Sequence, residues 1–424
     1  MMPFSVLRIW GLGIFSWALL GVGIYLAIEA YDEFISTDSQ PTIVDRMDGV
    51  PTSDTDANAV ADAANVNRLE ANDWERWALL AGAVACLGVS FGGFLPVSLL
   101  LGNSQGQQAQ NIPARKTLNV DRPGGAQLHV EVYGQESRPT LLLTHGWSLD
   151  TSAWNYIKAD LASRYRLVAW DLRGMGRSKG PADGDYSLDT MADDLEAVRQ
   201  ATETGEPVIL VGHSIGGMIQ QTFCRRHSAQ LGTRVHGLAL VHTTYTNPLR
   251  TNVAASLTTA LETPLIIPLN YLTIALAPLA WLSNWQSYLN GTLHITVRVA
   301  SFAGKQTRQQ IDHSARLAAS AWPGAVARGN LAMLKFNEEQ TLPQLQVPVL
   351  VIGGDHDRMT LPSASDHIER LLPNERPIRV PSGHLGHWEY ADRVEEILSE
   401  FAEHVAAGAA ASQRQAVQNA PAAN

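Results

Sequence analysis

The chain has 424 residues, of which 45% are hydrophobic and only 17% are charged, and its formal net charge is −10. The length suits one large domain with additional segments, and the charged fraction is below the roughly 25% of an average soluble protein. The acidic balance argues against nucleic acid as a partner.

Two uncharged segments predict membrane helices near the start of the chain. Residues 9–28 and residues 77–101 contain no Asp, Glu, Lys or Arg, and each run is long enough to cross about 30 Å of hydrocarbon as a helix. We assign residues 1–30 to a first transmembrane helix and 77–101 to a second. The alternatives are a cleaved signal peptide for the first and a buried core helix for the second. Two spans predict a multi-pass protein of the cell membrane.

The remaining segments outside the main domain are polar. Residues 31–76 are strongly acidic and have few residues able to form a core, which predicts a mostly disordered loop. Residues 102–116 form a polar linker, and the Ala- and Gln-rich residues 407–424 predict a disordered tail.

The positive charges beside the two spans predict the orientation. Arg8 and the N-terminal amine precede the first span, and Arg115, Lys116 and Arg122 follow the second. The intervening loop contains three arginines, at positions 46, 68 and 76. Since Lys and Arg near a membrane favour its cytoplasmic side, this small excess predicts that the domain after the second span is cytoplasmic.

Apolar strands alternate with helical segments through residues 117–244 and again through 343–406. Continuous apolar strands separated by helices indicate an α/β fold with a mostly parallel sheet covered on both faces. Such sheets bind ligands at the carboxyl ends of their strands. We therefore expect the functional residues just after Thr144, Gly212 and Ile352.

Ser214 lies in a Gly-x-Ser-x-Gly motif that runs from Gly212 to Gly216. An apolar strand precedes the motif and a helix follows it, so the serine hydroxyl should stand exposed on a tight turn. The backbone N–H of Ile215, at the helix start, would point toward a developing oxyanion. The alternative is a serine that only caps a helix.

A nucleophilic serine needs a base and an acid at the same edge of the sheet. His384 follows the last predicted strand, and Asp355 and Asp357 follow the strand that ends at Ile352. No carboxylate directly follows the strand that ends at Val241. The expected order is therefore Ser, Asp, His, with two candidates for the acid.

The motifs occur together in one order along the chain, and the chain resembles the α/β-hydrolase family, of the serine esterase and lipase type. The matching segments are residues 145–147, 171–178, 212–217, 353–358 and 383–384, with Glu389 downstream. The GHSIGGM sequence and the membrane anchor also resemble monoacylglycerol-lipase-like hydrolases.

The resemblance implies roles for individual residues. It implies a triad of Ser214, Asp357 and His384, with Asp357 preferred over Asp355 by the family's spacing. It also implies an oxyanion hole formed by the backbone N–H groups of Trp147 and Ile215. Supporting positions are His145, whose hydrogen bonds orient its loop, and the glycines Gly146, Gly212 and Gly216. His213 is expected to be structural, and His387 to pack beside the triad histidine.

Residues 245–342 separate two predicted strands and are too many for an irregular loop, so they predict a helical cap. Residues 264–282 within it contain no charge. One interpretation is a buried pair of cap helices broken by prolines. The other is a hydrophobic lid that faces the bilayer or an acyl-chain tunnel.

These features predict a serine hydrolase that cleaves carboxylic esters of lipophilic substrates, such as monoacylglycerols or lysophospholipids, through an acyl-enzyme on Ser214. Alternatives are a cofactor-free haloperoxidase-like enzyme or carbon–carbon-bond hydrolase on the same fold, and a non-catalytic membrane scaffold. The expected partners are the lipophilic ester and membrane lipid. We expect no cofactor and no metal ion, and the sequence predicts no protein partner.

Overall fold

The computed structural model describes residues 2–38, 55–104, 106, 109–372 and 378–419. Eight strands are β1 Lys116–Asp121, β2 Gln127–Tyr133, β3 Thr140–Thr144, β4 Arg166–Trp170, β5 Val208–His213, β6 Val235–Val241, β7 Val349–Gly354 and β8 Ile378–Val380. The helices before the cap are α1 Met2–Asp38, α2 Thr55–Gly92, α3 Phe94–Leu101, α4 Asn155–Leu161, α5 Leu188–Ala201 and α6 Ile215–Arg226. The remaining helices are α7 Ala255–Ala260, α8 Ile267–Ala275, α9 Ala277–Leu289, α10 Thr292–Ser301, α11 Arg308–Ser320, α12 Pro323–Met333, α13 Pro362–Leu371, α14 Gly386–Glu389 and α15 Ala391–Asn419.

One eight-stranded sheet has the order β1-β2-β4-β3-β5-β6-β7-β8. The first two strands pair in antiparallel fashion with their neighbours, and β4, β3, β5, β6, β7 and β8 are parallel to one another. The predicted α/β class with a mostly parallel sheet is therefore confirmed. Strand β1 was not among the predicted strands.

Alternate residues of each strand point to opposite faces of the sheet, as the pleat requires. Leu142 and Leu210 contribute to the hydrophobic core beneath α5 and α6, whereas Leu143 and Val211 contribute to the core beneath α4 and α15. All four side chains are completely buried. The sheet is thus covered by helices on both faces, which fixes its strand ends in place.

The long segment between β6 and β7 forms helices α7 to α12, with a single π-helical turn at Glu262–Ile266 before α8. Helix α12 returns toward the sheet, where Val326 and Met333 join the same core as Leu142. Helices α8 and α9 meet at a sharp bend of 100°. The cap therefore stands over the edge at which the parallel strands end.

Among the described residues, one helix is long and apolar enough to cross a membrane by itself, over Val6–Ile35. The second predicted span differs from the straight helix that we expected. Trp74–Gly92 and Phe94–Leu101 pass the same test only as a pair, and they are bent by 65°. The break lies at Gly93, where a side chain would collide with the backbone oxygen of Asn290 in the cap. The bend thus coincides with a Gly-Gly pair three residues before Pro96, and with a close approach to a distant part of the chain.

The structure also differs from the two predictions of disorder. Helix α2 begins at Thr55, inside the predicted acidic loop, and α15 continues to Asn419, inside the predicted tail. Both segments are rich in alanine, which has the highest intrinsic helix propensity. Both also extend helices that are anchored elsewhere, so no new helix nucleus is needed. Residues 39–54 and 420–424 lie outside the described residues.

Glu395 lies on α15, where it is 7% exposed. Burial, together with the negative charges of Asp160 and Asp392, raises the pKa of Glu395 from the usual 4.5 of a glutamate to about 7. Between these two pH values the folded chain keeps a proton that the unfolded chain has already released. The free energy of unfolding therefore falls as the pH rises through this window.

We expect Glu395→Gln to remove this decrease in the free energy of unfolding at high pH, because glutamine stays neutral at every pH. Relative to the unchanged protein, the melting temperature of the variant should be higher by at least about 2 °C near pH 8, with a smaller gain near pH 4.5. Thermal unfolding followed by circular dichroism measures both values. The exposed Glu400→Gln is the matched control, and an equal gain for both variants would contradict the assignment.

Candidate active site

Three loops meet where β3, β5 and β6 end. Thr144 pairs with Gly212 in parallel register, and His213 pairs with Val241. Among the described residues, the three non-glycine residues with a positive φ are Ser148, Ser214 and His242, and each lies just after one of these strands. A backbone in this region is strained for a residue with a side chain, and such strain is typical of functional sites.

Ser214 occupies the turn between β5 and α6, with φ 55° and ψ −118°. Space around the turn is very limited: a Cβ atom on Gly216 would lie 2.2 Å from the backbone oxygen of Thr144. A Cβ atom on Gly212 would lie 2.5 Å from the backbone of Gly216. Glycine at these two positions therefore permits the sharp turn that exposes the serine hydroxyl.

His384 links the serine to an acid. Its Nε2 lies 2.9 Å from the Ser214 hydroxyl oxygen, and its Nδ1 lies 2.8 Å from Oδ2 of Asp357. The Nδ1–H group donates to the carboxylate, which leaves Nε2 free to accept the serine proton. The structure therefore brings together all three residues that the sequence analysis nominated.

Asp357 is completely enclosed by donors. Its Oδ1 accepts hydrogen bonds from the backbone N–H groups of Met359 and Thr360, and its Oδ2 accepts one from the Thr360 hydroxyl group. Burial acts to raise the pKa of Asp357, but the charge and hydrogen bond of His384 outweigh burial, so its pKa lies below the usual value. The carboxylate is therefore ionised at neutral pH. Asp355, the other candidate, is exposed to solvent.

The two backbone groups nominated for the oxyanion hole are unpaired. Among the described residues, neither the N–H of Trp147 nor that of Ile215 has a hydrogen-bond acceptor in the protein. Ile215 is the first residue of α6, where N–H groups lack partners within the helix. The indole of Trp147 donates to the backbone oxygen of Val326 in the cap, over 3.1 Å. The cap thus holds the loop that carries one of these groups.

His145 holds the loop of Trp147 in place through two hydrogen bonds. The backbone N–H of Leu172 donates to its Nε2 over 3.0 Å, so its proton is on Nδ1, which donates to the backbone oxygen of Gly146 over 2.8 Å. A Cβ atom on Gly146 would lie 2.5 Å from the His213 ring. Burial lowers the pKa of His145, so the ring stays neutral in this role.

Further histidines pack around the triad. His213 donates from Nε2 to the backbone oxygen of His384 over 2.9 Å, and the His387 ring lies 4.4 Å from that of His213. Burial, and after it the neighbouring histidines, holds the pKa of both rings well below the usual value. Both rings are therefore neutral, and His213 supports the backbone of the triad histidine.

His242 is a site residue that the sequence analysis did not identify. Its Nδ1 lies 3.7 Å from Oδ2 of Asp357, and its side chain is fully buried. Burial lowers the pKa of His242 to about 4. The sequence contains a signal for it, because His242 directly follows β6, at the edge of the sheet where the parallel strands end.

The cavity beside Ser214 is small and mostly apolar. Its volume is about 10 Å³, which is room for at most one water molecule. Three methionines contribute to its wall, Met218 from α6, Met333 from the cap and Met359 from the loop that carries the acid. Methionine is flexible and fills irregular space, so these side chains can move aside for an apolar ligand.

The comparisons with known proteins agree with the fold and the motifs. Residues 139–391 match the family model described as the alpha/beta hydrolase fold. The probable oxidoreductase EphD of Mycobacterium tuberculosis is 25% identical over 317 residues, covering 69% of this chain and 50% of that protein. The chain therefore spans about half the length of that curated relative.

Two further matches cover nearly the whole length of the other protein. A putative non-heme chloroperoxidase of Synechocystis is 25% identical over 62% of this chain and 90% of its own. The structure of a thermophilic esterase from Thermogutta terrifontis superimposes with a TM-score of 0.56 and 24% identity, over 68% of this chain and 99% of that one. The family model covers more than half of the chain and includes every loop of the candidate site. The protein belongs to the α/β-hydrolase fold family.

Proposed function

We propose that the protein is a serine hydrolase that cleaves carboxylic esters of lipophilic alcohols or acids. The observation that carries this proposal is the continuous hydrogen-bonded chain from Ser214 through His384 to Asp357. A serine hydroxyl is a weak nucleophile unless a positioned base accepts its proton. Here His384 is the base, and Asp357 is the acid that orients it.

The reaction begins when the Ser214 oxygen attacks the ester carbonyl carbon and its proton moves to Nε2 of His384. The carbonyl oxygen becomes negatively charged and accepts hydrogen bonds from the unpaired N–H groups of Trp147 and Ile215. The carbon–oxygen bond to the alcohol then breaks, and His384 donates its proton to the departing oxygen. An acyl-enzyme on Ser214 remains.

Water completes the cycle. His384 accepts a proton from the water molecule, whose oxygen attacks the acyl carbon, and then returns the proton to Ser214 as the acid leaves. Asp357 keeps the proton of the neutral ring on Nδ1 and stabilises the imidazolium that forms twice per turnover. Its low pKa keeps it charged throughout.

Several features support a lipophilic substrate, such as a monoacylglycerol or a lysophospholipid. The methionines that line the cavity offer a flexible, apolar wall to an acyl chain. The cap above them carries few charges, and an apolar helix packs against it. A small, water-soluble ester would gain little binding energy from such surroundings.

A second candidate activity is haloperoxidase-like oxidation without a cofactor. The similarity to the putative chloroperoxidase over 90% of that protein favours it. On the same residues, Ser214 would transfer an acyl group to hydrogen peroxide instead of water, giving a peracid that oxidises halide. Halogenation of a chlorinated diketone in the presence of acetate, bromide and peroxide separates the two activities. A purely structural role as a membrane scaffold is disfavoured by the intact hydrogen-bonded chain.

We further propose that the protein resides in the cell membrane with two spans, the second being the bent pair α2–α3, and with the hydrolase domain in the cytoplasm. The start of α1 packs against the base of the cap, where Val6 contacts the cluster of Leu249 and Ile266. The N-terminus and the hydrolase domain must therefore be on the same side of the membrane. The slight excess of Lys and Arg on that side favours the cytoplasm.

Ser214→Ala should reduce hydrolysis of an activated ester to less than about a thousandth, because the nucleophile is lost and only binding and oxyanion contacts remain. The variant should also fail to react with a fluorophosphonate probe. Far-ultraviolet circular dichroism should be unchanged. A variant that kept more activity than this would show that another residue attacks the ester.

Asp357→Asn should reduce kcat by at least about a hundredfold, because an amide neither fixes the tautomer of His384 nor stabilises its charged form. Asp355→Asn, two residues away and exposed, should change kcat by less than about twofold. Steady-state kinetics with one soluble ester measures both. Equal losses, or a larger loss at Asp355, would overturn the choice of acid.

The proposed topology can be tested with fusions to the C-terminus. A fused green fluorescent protein should be fluorescent, and a fused alkaline phosphatase should be inactive, because the phosphatase needs an oxidising compartment for its disulfides. The same reporters placed in the segment between α1 and α2 should give the opposite pattern. An active phosphatase at the C-terminus would put the enzyme outside the cytoplasm.

A further inference from the structure

The cap contains a stretch of unusual composition. Residues 263–297 include no Asp, Glu, Lys or Arg and form α8, α9 and the first half of α10. Helices on the surface of a water-soluble domain normally carry charged residues on the face that meets solvent. Helices α8 and α9 carry no charged residue on any face.

Burial along α8 and α9 is inverted relative to a soluble protein. Six large apolar side chains on the two helices and at their junction are exposed, in the range from 36% to 61%, and these are Tyr271, Leu272, Leu276, Leu279, Trp281 and Leu282. The polar side chains are less than 9% exposed, and these are Asn270, Thr273, Ser283, Asn284, Gln286 and Ser287. Exposed apolar surface and buried polar groups are what hydrocarbon surroundings favour, because every polar group must then find a partner inside the protein.

The buried polar groups of α9 find their partners on the apolar helix α1. The Ser16 hydroxyl lies 3.2 Å from that of Ser287 and accepts a hydrogen bond from the Asn290 amide over 2.7 Å. One turn earlier on α9, the Ser283 hydroxyl accepts a hydrogen bond from the indole of Trp17, which also lies on α1, over 2.9 Å. We call this set of contacts between α1 and the cap the polar seam.

Two further hydrogen bonds join the cap to α1 and α2. The indole of Trp10 donates to the Thr273 hydroxyl of α8 over 3.0 Å. The Gln286 amide donates to the backbone oxygen of Ser90 on α2 over 2.9 Å. Helices α1 and α2 thus both hold the cap pair, and they do so with hydrogen bonds between otherwise apolar surfaces.

Next to these polar contacts, α1 carries exposed apolar side chains. Ile14 is 68% exposed and Phe15 is 54% exposed, next to the buried Ser16. At Gly13, helices α1 and α9 approach so closely that a Cβ atom on Gly13 would lie 3.0 Å from the Cβ atom of Ser283. Close approach at small residues, combined with polar contacts across the interface, is typical of helices that associate in lipid.

We propose that α8 and α9 lie in the hydrocarbon layer beside α1, as a re-entrant helix pair whose exposed apolar side chains contact lipid acyl chains. The 100° bend lets the pair enter and leave the membrane from the same side. Exposed apolar side chains thus lie on both α1 and the cap pair, which the polar seam joins, and in this arrangement one lipid layer covers both. The proposal rests on the membrane location of α1 proposed above and is independent of the chemistry at Ser214.

The test measures the depth of single positions in the full-length protein, reconstituted into phosphatidylcholine vesicles. A background lacking Cys86 and Cys224 receives one cysteine at a time, Leu279→Cys or Leu282→Cys, labelled with an environment-sensitive nitrobenzoxadiazole dye. Val22→Cys on α1, 49% exposed, is the lipid reference. Ser228→Cys, exposed beside α6, is the water reference.

Phospholipids with a nitroxide on the acyl chain should quench dye at positions 279, 282 and 22, and iodide should not. Position 228 should behave in the opposite way. Leu272→Cys on α8 provides a further position if one α9 variant does not fold, as judged by its melting temperature. If position 22 is quenched by lipid nitroxide while 272, 279 and 282 are quenched by iodide, the cap pair lies in water and this proposal is wrong. If position 22 is also quenched by iodide, the proposed membrane location of α1 fails as well, and hydrolysis of a soluble ester reports separately on the chemistry.

Discussion

Parallel pairing brings the carboxyl ends of β3, β5, β6 and β7 to one edge of the sheet, and the loop after each strand carries part of the site. The register of β5 between β3 and β6 places Ser214 beside the Trp147 loop on one side and His242 on the other. Ser214 and His384, which are 170 positions apart in the chain, then come within hydrogen-bonding distance. Because helices cover both faces of the sheet, these strand ends are held rigidly.

Asp357 carries a negative charge in the site, whereas the buried histidines around it are neutral. His213, His242 and His387 surround the triad, and burial lowers the pKa of each ring, so that all three are neutral at physiological pH. The ionised Asp357 therefore interacts with His384 without competition from a second buried cation among these rings. In the proposed reaction, a low local dielectric strengthens that interaction when His384 becomes charged.

Local sequence patterns predicted the strands and turns that interactions between neighbouring residues determine. Apolar runs and one alternating segment predicted seven of the strands. The strand–turn–helix context predicted Ser214 and the loop position predicted His384, whereas loop position left Asp355 and Asp357 both open and the family resemblance favoured Asp357. Long-range contacts account for most of what was missed. At Gly93 the Gly-Gly pair and Pro96 mark a helix break, but the approach to the backbone of Asn290, almost 200 residues away, is a contact that no local pattern shows. The hydrogen-bond partners that α1 and α2 supply to buried polar groups of α9 are likewise long-range contacts.

The separation of the polar seam along the chain has a consequence for biosynthesis. Ser16 and Ser287 are 271 residues apart. At about 5 to 20 residues per second, a ribosome needs about 15 to 55 s to synthesise the intervening chain. In the proposed arrangement, α1 has to remain inserted throughout that interval without the cap, with the Ser16 hydroxyl bonded to a carbonyl oxygen of its own helix. The hydropathy of α1 would then have to suffice for insertion by itself, and the cap helices would join an anchor that is already in place.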